Sequence, residues 1–168
     1  MKKPRTLFSS ILGEEPRMLK ELDQITLQLM TFDDLEEVTR LEKLCFSDPW
    51  SKKCFEEELE HRFSIPLVVK IAQKIVGYAC LWHVDDQMEI ANFAVSPEFR
   101  RKGIGRTLME SVLWEARKRA CISVMLSVRE SNLAARNLYA EFGFVEAGRR
   151  RRYYRFPIED AVIMVKNL

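Results

Sequence analysis

Residues Asn92 to Arg106 read NFAVSPEFRRKGIGR, and this stretch decides how the rest of the chain is interpreted. Its first half is apolar and β-prone, which predicts a buried strand. Pro97 ends that strand, because proline has no N–H to donate to a ladder, and three cations then precede Gly103. An amphipathic helix follows. Its apolar face consists of Leu108, Met109, Val112, Leu113 and Ala116.

The turn between this strand and helix has the features of an anion-binding site. Gly103 and Gly105 would let a polyanion approach the backbone, and the first helical turn presents unpaired N–H groups and the positive end of the helix dipole. Four cations surround the turn: Arg100, Arg101, Lys102 and Arg106. Pyrophosphate would fit there, although a solvated basic loop is the alternative for an isolated Gly-x-Gly. The stretch is neither a Walker loop nor a complete dinucleotide fingerprint, since it lacks Gly-x-x-x-x-Gly-Lys and a third glycine.

Composition predicts one domain with a substantial core. The chain has 168 residues, of which 47% are hydrophobic and 31% charged, and a net charge of +2 is too small to indicate bulk binding of nucleic acid. Its four cysteines form no Cys-x-x-Cys pair and it has only two histidines, so no metal site is predicted. Reduced thiols fit a cytoplasmic protein. No apolar run is long enough to predict a membrane span.

The first half of the chain is predicted to contain a tail, a strand and two helices. Residues 1–24 have no sustained periodicity and are taken as a tail of unknown role, so the domain is expected to cover 25–168. Residues 25–29 alternate as a strand, and Thr31 with Asp34 forms a potential capping box. The apolar positions of the first helix are Leu35, Val38, Leu41 and Leu44, and those of a second helix, capped by Ser51, are Phe55 and Leu59. Phe46 and Trp50, between the helices, either bind a ligand or seal the core.

The second half is predicted to add six strands and two helices. Three strands at 65–71, 75–84 and 88–95 form a meander, and a buried strand follows the central helix at 122–128. A last helix begins after Ser131 and Asn132 and ends at Gly143, and two strands at 144–150 and 160–165 form a hairpin. This order predicts an α/β (α+β) fold, a mixed, mostly antiparallel sheet with helices on both faces.

Two spaced motifs resemble the GNAT acetyltransferases: VSPEFRRKGIG at 95–105 and VRESNLAARNLYAEFGF at 128–144. Shorter segments are similar to the bacterial RimI subfamily, whose members acetylate protein N-termini. These segments are FSDPWS at 46–51, EIANFAV at 89–95, RRRYY at 150–154 and AVIM at 161–164. The resemblance covers about residues 25–168. It implies the acyl-CoA N-acyltransferase fold and acetyl-CoA as co-substrate, with no metal.

The resemblance also assigns residues to the site. Pantetheine would lie along Phe93, Ala94 and Val95. Pyrophosphate would contact Arg101, Lys102, Gly103, Ile104, Gly105 and Arg106. Asn132 would also bind the cofactor and Tyr139 would be the general acid, whereas without the motif we interpret Asn132 as a helix cap and Tyr139 as a core aromatic. Candidate substrate-binding residues are Phe46, Trp50, Tyr153 and Tyr154. A strand N–H near Ala94 or Val95 would stabilise the oxyanion.

One position departs from the subfamily. RimI-type enzymes usually carry Leu-Glu-Val-Arg, with the glutamate as general base, whereas this chain has Ser127 in that place. Serine is no base at neutral pH, so we expect Glu89 to act directly or through water, and an exposed strand carboxylate is the alternative interpretation. An α-amine with a pKa of about 7.8 is roughly 10–15% neutral at pH 7, whereas deprotonating lysine costs about 4–5 kcal/mol. Weak base catalysis therefore favours an N-terminal substrate.

The sequence thus predicts an acetyl-CoA-dependent N-acetyltransferase acting on a protein N-terminus, of the ribosomal protein-alanine type. Two alternatives stay open: an enzyme for a small-molecule amine, which the same cradle would serve, and a catalytically silent acetyl-CoA-binding module, suggested by Ser127. The basic run 149–152 with Arg155 could face ribosomal RNA or an acidic peptide, but a solvated hairpin is the preferred interpretation, and neither nucleic acid nor a membrane is an expected partner.

Overall fold

The computed structural model describes residues 25–168. The tail predicted at 1–24 lies outside the described residues, and the boundary at residue 25 stays a prediction. The described part contains seven strands and four helices, in the predicted order. They are β1 (Ile25–Leu29), α1 (Leu35–Cys45), α2 (Lys52–Glu60), β2 (Ser64–Ile71), β3 (Lys74–Val84), β4 (Gln87–Val95), α3 (Ile104–Lys118), β5 (Ser123–Arg129), α4 (Leu133–Glu141), β6 (Val145–Arg155) and β7 (Ile158–Asn167).

All seven strands belong to one sheet, in the order β1-β2-β3-β4-β5-β7-β6. Only the β4–β5 pair is parallel, and the other neighbours are antiparallel. A parallel pair needs a crossover connection, which α3 supplies. The predicted mixed, mostly antiparallel sheet is confirmed.

The helices cover the two faces of the sheet and create two hydrophobic clusters. On the face covered by α3 and α4, the predicted apolar face of α3 is buried throughout. On the face covered by α1 and α2, Val38 and Phe55 are buried with Tyr78 of β3. We call these the α3 face and the α1 face. Leu44, at the end of α1, was expected to continue the apolar stripe but is 66% exposed.

Polar contacts fix where the first two helices begin. The N–H and hydroxyl of Thr31 donate to the Asp34 carboxylate at 2.8 and 3.0 Å, in a short 3-10 turn that leads into α1. Burial alone would raise the pKa of Asp34, but hydrogen bonds from Lys70 and Thr31 outweigh burial and lower it. Ser51 caps α2 as predicted, because its hydroxyl oxygen accepts a hydrogen bond from the Cys54 N–H.

The C-terminal hairpin is longer than predicted. The expected strands, 144–150 and 160–165, extend to Val145–Arg155 and Ile158–Asn167, so Tyr153 and Tyr154 lie in β6 rather than in the connecting segment. A register shift between Arg150 and Tyr154, with Arg152 at φ 51°, absorbs the extra residues. The prediction ended the strand too early because a bulge has no hydrophobic alternation to reveal it.

Candidate active site

β4 and β5 are paired at one end and separate at the other. Their parallel register covers only Gln87–Ile90 with Ser123–Leu126, although both strands continue, to Val95 and to Arg129. The divergence begins at a bulge, since Cys80 of β3 faces Asn92 whereas Leu81 faces Ile90, leaving Ala91 as the extra residue. The result is a gap between two strands in the middle of the sheet.

Backbone donors of β4 point into this gap. The Ser96 N–H donates to the Val76 carbonyl of β3 at 2.8 Å. Because backbone groups alternate sides along a strand, the N–H groups of Val95 and Phe93 face β5, where no ladder partner remains. The Ala94 N–H faces β3 instead. Of the two positions expected to supply an oxyanion donor, Val95 has the suitable orientation.

The N-terminus of α3 lies at the end of β4 and is open. Gly103, the N-cap residue, has φ +86°, a conformation that side chains rarely adopt, and no side chain caps the helix. Its carbonyl accepts from the Thr107 N–H at 3.0 Å. The N–H groups of Ile104, Gly105 and Arg106 therefore have no intrahelical acceptor. A Cβ at Gly103 would meet no atom within 4 Å, so an anion has room there.

The four cations of this turn differ in how they are engaged. Arg100 bends back, and its Nε donates to the Val95 carbonyl at 3.2 Å. Arg106 forms an ion pair with Glu141 and its guanidinium carbon lies 5.2 Å from the Phe142 ring centroid. Arg101 and Lys102 form no ion pair within residues 25–168 and are exposed. They are the cations best placed to meet a polyanion.

Gly105 has a packing role that the sequence interpretation missed. A Cβ at Gly105 would lie 3.2 Å from Leu138 Cδ2 of α4 and 3.7 Å from Val95 Cγ2. The missing side chain thus lets α3 approach α4 and β4 closely. Gly103 is exposed and Gly105 is half-buried, whereas the Ile104 side chain is fully buried, so Ile104 can offer only its backbone to a ligand.

Asn132 and Tyr139 occupy the positions that their structural interpretations predicted. The Asn132 side-chain oxygen accepts from the Ala135 N–H at 3.2 Å and caps α4. Tyr139 packs in the core edge-to-face with Phe93, with ring centroids 6.0 Å apart, and also against Phe144. The Phe93 contact nevertheless places Tyr139 beside the gap, on the α3 face. Asn132 can therefore cap α4, and Tyr139 can pack in the core, while each residue also contacts a ligand.

A second phenol reaches the gap from β6. The Tyr154 hydroxyl donates to the Ser127 carbonyl of β5 at 3.3 Å, and the guanidinium carbon of Arg129 lies 4.2 Å from its ring centroid. Burial raises the pKa of Tyr154 to about 12, and Tyr153 adds to the rise. Burial, and to a lesser degree Tyr154, also raises the pKa of Tyr139. Both phenols therefore stay protonated at neutral pH and can act as hydrogen-bond donors.

Ser127 and Glu89 both point to the α1 face. Val124, Leu126 and Val128 of β5 are buried on the α3 face, so Ser127 between them faces α1. Its hydroxyl is buried with no hydrogen-bond partner in the described part of the chain. Glu89 is half-buried opposite Met125, two residues before Ser127, which puts their Cα atoms about 8 Å apart. One water molecule could bridge such side chains.

Two loops converge over the open end of the gap on the α1 face. Ser47, in the segment between α1 and α2, donates to the Phe156 carbonyl at the tip of the β6–β7 hairpin. Arg155 Nη2 donates to the Asp48 carboxylate at 2.9 Å. Arg129 Nη2 donates to the Ser47 hydroxyl at 3.3 Å and to the Phe156 carbonyl at 3.0 Å, and thereby joins both loops to β5. The sequence interpretation assigned no role to Arg129, although a cation directly after a buried strand is a detectable pattern.

The four aromatic residues predicted to bind substrate lie around these loops. Phe46 and Trp50 are half-buried against the α1-face cluster, so they seal its edge while leaving some surface open. Tyr153 is exposed and Tyr154 is half-buried, and their rings meet edge-to-face at 5.1 Å. Phe46 and Trp50 thus lie on the same side of the sheet as Ser127, and the Tyr154 hydroxyl reaches the Ser127 carbonyl.

Among residues 25–168, no three histidine, cysteine, aspartate or glutamate side chains are grouped to hold a metal ion. None of the described helices is both long enough and apolar enough to cross a bilayer. All four cysteines are free.

Comparison with known proteins identifies the family. The sequence profile of the "Acetyltransferase (GNAT) family" matches residues 35–144. The chain belongs to the GNAT acetyltransferase family. It is 35% identical over 136 residues to the putative ribosomal protein bS18-alanine N-acetyltransferase of Bacillus subtilis, covering 80% of this chain and 90% of the relative. The Salmonella typhimurium bS18-alanine N-acetyltransferase is 35% identical over 141 residues, 83% of this chain and 95% of its own.

A solved structure agrees with these relatives. The crystal structure of the ribosomal-protein-S18-alanine N-acetyltransferase from Escherichia coli superposes with a TM-score of 0.80 at 33% identity, covering 85% of this chain and 93% of that one. The fold and the RimI-like resemblance are confirmed. This GNAT protein is an acetyl-CoA-dependent N-acetyltransferase. The gap in the sheet, the free Val95 N–H and the uncapped α3 suit that co-substrate.

Proposed function

We propose that this GNAT enzyme acetylates the N-terminal α-amine of a protein that begins with alanine, a ribosomal protein being the leading candidate. One observation supports the proposal independently of the relatives. On the α1 face of the gap, where the acceptor would bind, Ser127 has a buried hydroxyl without a hydrogen-bond partner in place of a carboxylate. A site without a strong base suits an α-amine, part of which is already neutral at pH 7, better than a lysine side chain.

The α3 face and the strand gap would hold the co-substrate. The N–H groups at the start of α3, with Arg101 and Lys102, would bind the pyrophosphate. Phe93, Ala94 and Val95 would line the pantetheine, and the unused amide group of Asn132 would add a hydrogen bond. Arg106, paired with Glu141, would contribute less because its charge is already compensated.

Acetyl-CoA, when bound, supplies a thioester whose carbonyl carbon bonds to the amine nitrogen as the C–S bond breaks. The Val95 N–H is the donor that we assign to the oxygen on which negative charge develops. Tyr139, whose phenol is protonated at neutral pH, donates its proton to the departing sulfur and regains one from solvent. The proton lost by the amine goes to a water molecule that Glu89 and Ser127 hold, and from there to Glu89 or to solvent.

The two converging loops would hold the acceptor. We expect Phe46 and Trp50 on one loop, and Tyr153 and Tyr154 on the hairpin, to contact the bound peptide. A peptide that enters between them reaches Ser127 with its terminal amine. Of the two alternatives from the sequence, a small-molecule amine acceptor has no observation in the described residues that favours it, and a silent binding module rests on Ser127 alone. The free thiols support a reducing, cytoplasmic setting.

The experiment compares one peptide in two forms. An alanine-starting peptide with an internal lysine is offered with a free N-terminus, and then with the N-terminus already acetylated. We expect acetyl-CoA consumption only with the free N-terminus, at a rate that changes with the first residue. Equal rates for both forms would show that lysine is the acceptor and would overturn the proposal, whereas no consumption with any amine would favour a binding module.

A further inference from the structure

A buried carboxylate lies beneath the acceptor loop, outside the residues assigned so far. Glu42 is near the end of α1 and is 1% exposed. Its Oε1 accepts a hydrogen bond from the Trp50 backbone N–H at 2.8 Å. Both of its oxygens accept from Asn92 Nδ2, at 3.3 and 3.2 Å, and Oε2 also accepts from the Tyr78 hydroxyl. One side chain thus joins a loop, β4 and β3.

An apolar residue would pack α1 against the sheet without the cost of burying a charge. Burial raises the pKa of Glu42, and the hydrogen bonds from Tyr78, Trp50 and Asn92 oppose that rise. A buried carboxylate with all its acceptor positions engaged constrains its neighbours strongly, because each donor would otherwise lose its partner inside the core. The arrangement therefore fixes the loop, β3 and β4 relative to one another more than it adds to the free energy of unfolding.

Asn92 and Trp50, which donate to Glu42, belong to the strand and the loop that border the proposed acceptor site. Asn92 is the first residue of β4 after the bulge, where the strand leaves β5, and it precedes Phe93 in the gap. Trp50 ends the loop whose Ser47 and Asp48 touch the β6–β7 hairpin. The carboxylate contacts neither the gap nor the hairpin directly. It ties the loop's end to the strand that carries the backbone donors.

We propose that Glu42 is a positioning residue that sets the acceptor loop relative to the open end of the β4–β5 gap. The inference rests on the proposed binding of the acceptor by this loop. When the carboxylate becomes an amide, one acceptor oxygen is replaced by a donor, so either the Trp50 N–H or the Tyr78 hydroxyl can no longer donate to residue 42. The loop then shifts with respect to β4, and the amine of a bound peptide no longer aligns with the thioester.

Glu58 provides a matched control. It is also a buried glutamate, 7% exposed, on the neighbouring helix α2 of the same face. It accepts hydrogen bonds from the Trp82 indole N–H at 2.9 Å and from the Ser64 hydroxyl. Neither partner belongs to the acceptor loop or to the open end of the gap. Glu58→Gln therefore reproduces the loss of a buried carboxylate without the loss of this particular link.

The test measures steady-state kinetics of Glu42→Gln and Glu58→Gln with an alanine-starting peptide and acetyl-CoA. We expect Glu42→Gln to lower kcat/KM for the peptide about tenfold while KM for acetyl-CoA stays within about twofold. Glu58→Gln should keep both values near wild type. Asn92→Ala, which removes the link from Glu42 to β4 together with a 3.4 Å hydrogen bond from the Tyr78 hydroxyl, should reproduce part of the loss if Glu42→Gln folds poorly.

Three results would overturn the inference. The first is an unchanged kcat/KM for the peptide in folded Glu42→Gln. If Glu42→Gln does not fold, an unchanged kcat/KM in folded Asn92→Ala has the same meaning. The second is an equal loss in Glu58→Gln, which would mark a general effect of buried carboxylates. The third comes from Phe46→Ala and Trp50→Ala: if both leave KM for the peptide unchanged, the loop does not bind the acceptor, and the proposed site fails together with the role of Glu42. If those two variants raise KM and Glu42→Gln does not, only Glu42 is reassigned.

Discussion

The two ends of the β4–β5 pair are only a few residues apart and are built from different chemistry. At the closed end, Gln87–Ile90 pairs with Ser123–Leu126, and the inward residues Met88 and Val124 are apolar and fully buried. At the open end, the strands separate and polar groups collect around the gap. These groups are Asn92, Ser127, Tyr139 and Tyr154 and the free N–H of Val95.

Within this strand pair, the closed end contributes to stability and the open end provides the groups for catalysis. The closed end satisfies its backbone groups in a ladder and fills its volume with side chains, so it has nothing to offer a ligand. The open end leaves backbone donors and a buried hydroxyl without partners, which is costly unless a ligand or water completes them. Substitutions at the closed end should therefore change the free energy of unfolding, and substitutions at the open end should change kinetics.

The largest kinetic effect is expected at Tyr139, on the open end. Tyr139→Phe keeps the ring that packs against Phe93 and removes only the proton donor. We expect kcat to fall by about 10²- to 10⁴-fold, with the affinity for coenzyme A nearly unchanged. Turnover assays and calorimetry measure the two quantities. Tyr154→Phe is the comparison variant, and it should act mainly on KM for the peptide. Wild-type turnover in folded Tyr139→Phe would leave Tyr139 as a core residue only.

At the closed end, Met88→Ala should show the opposite pattern. Met88 is fully buried beneath α3, and its truncation leaves a cavity that we expect to cost about 2–5 kcal/mol of unfolding free energy. The activity per folded molecule should stay near wild type. Denaturant unfolding measures the cost, and the exposed Leu44 offers a control, since Leu44→Ala should stay within about 0.5 kcal/mol. A large drop in kcat for Met88→Ala would mean that the two ends are not separable.

The cations beside the open end sharpen the comparison further. Arg101 has no ion-pair partner among residues 25–168, whereas Arg106 is already paired with Glu141. Arg101→Ala should weaken coenzyme A binding about five- to tenfold, with a smaller salt dependence than wild type, because one charge-assisted contact to phosphate is lost. Arg106→Ala should have a smaller effect. Calorimetry at two salt concentrations decides, and equal losses in both variants would contradict the assignment of Arg101 as the main contact.

Most of the fold could be predicted because hydrophobic periodicity and caps are local. The order of elements, the buried face of α3 and the Ser51 cap all follow from residues close together in sequence. Two features could not be predicted in this way. The bulge at Ala91 and the one between Arg150 and Tyr154 depend on the partner strand, and no local sequence feature predicts them. The second bulge is the reason that β6 continues past the predicted end.

The site was predictable only where a motif carried it. The motifs indicated Tyr139 and the basic turn, but the approach of Tyr154 to the same gap depends on the pairing of β6 and β7. The contact of Gly105 with pyrophosphate stays a prediction, and the role of its missing side chain in helix packing was not predicted. Glu42 had a usable pattern that was overlooked. It follows Leu41 and lies four residues after Val38, so it falls on the buried face of α1, where a carboxylate needs partners.

The smallest expected effect concerns the proton acceptor, at the border between the two ends. Glu89 lies in the paired part of β4, and Ser127 lies two residues beyond the position opposite it, already on the separated part of β5. If Glu89 holds the water that takes the proton, Glu89→Gln should lower kcat/KM for an alanine-starting peptide about three- to tenfold near pH 7. The loss should shrink as the pH rises, because more of the amine then arrives neutral.

Variants of Ser127 complete this test. Ser127→Ala should change the rate little, because the hydroxyl only helps to hold water. Ser127→Glu places a carboxyl group where burial raises its pKa toward neutrality, so it should raise the rate most below the pKa of the α-amine. A pH–rate profile of the three variants on one peptide separates the possibilities. An unchanged profile for Glu89→Gln would assign the proton to solvent alone, and an inactive, folded Ser127→Ala would give the serine hydroxyl itself a role in the reaction. In the first case Glu89 would be a structural residue of the closed end. In the second case Ser127 would be a catalytic residue of the open end.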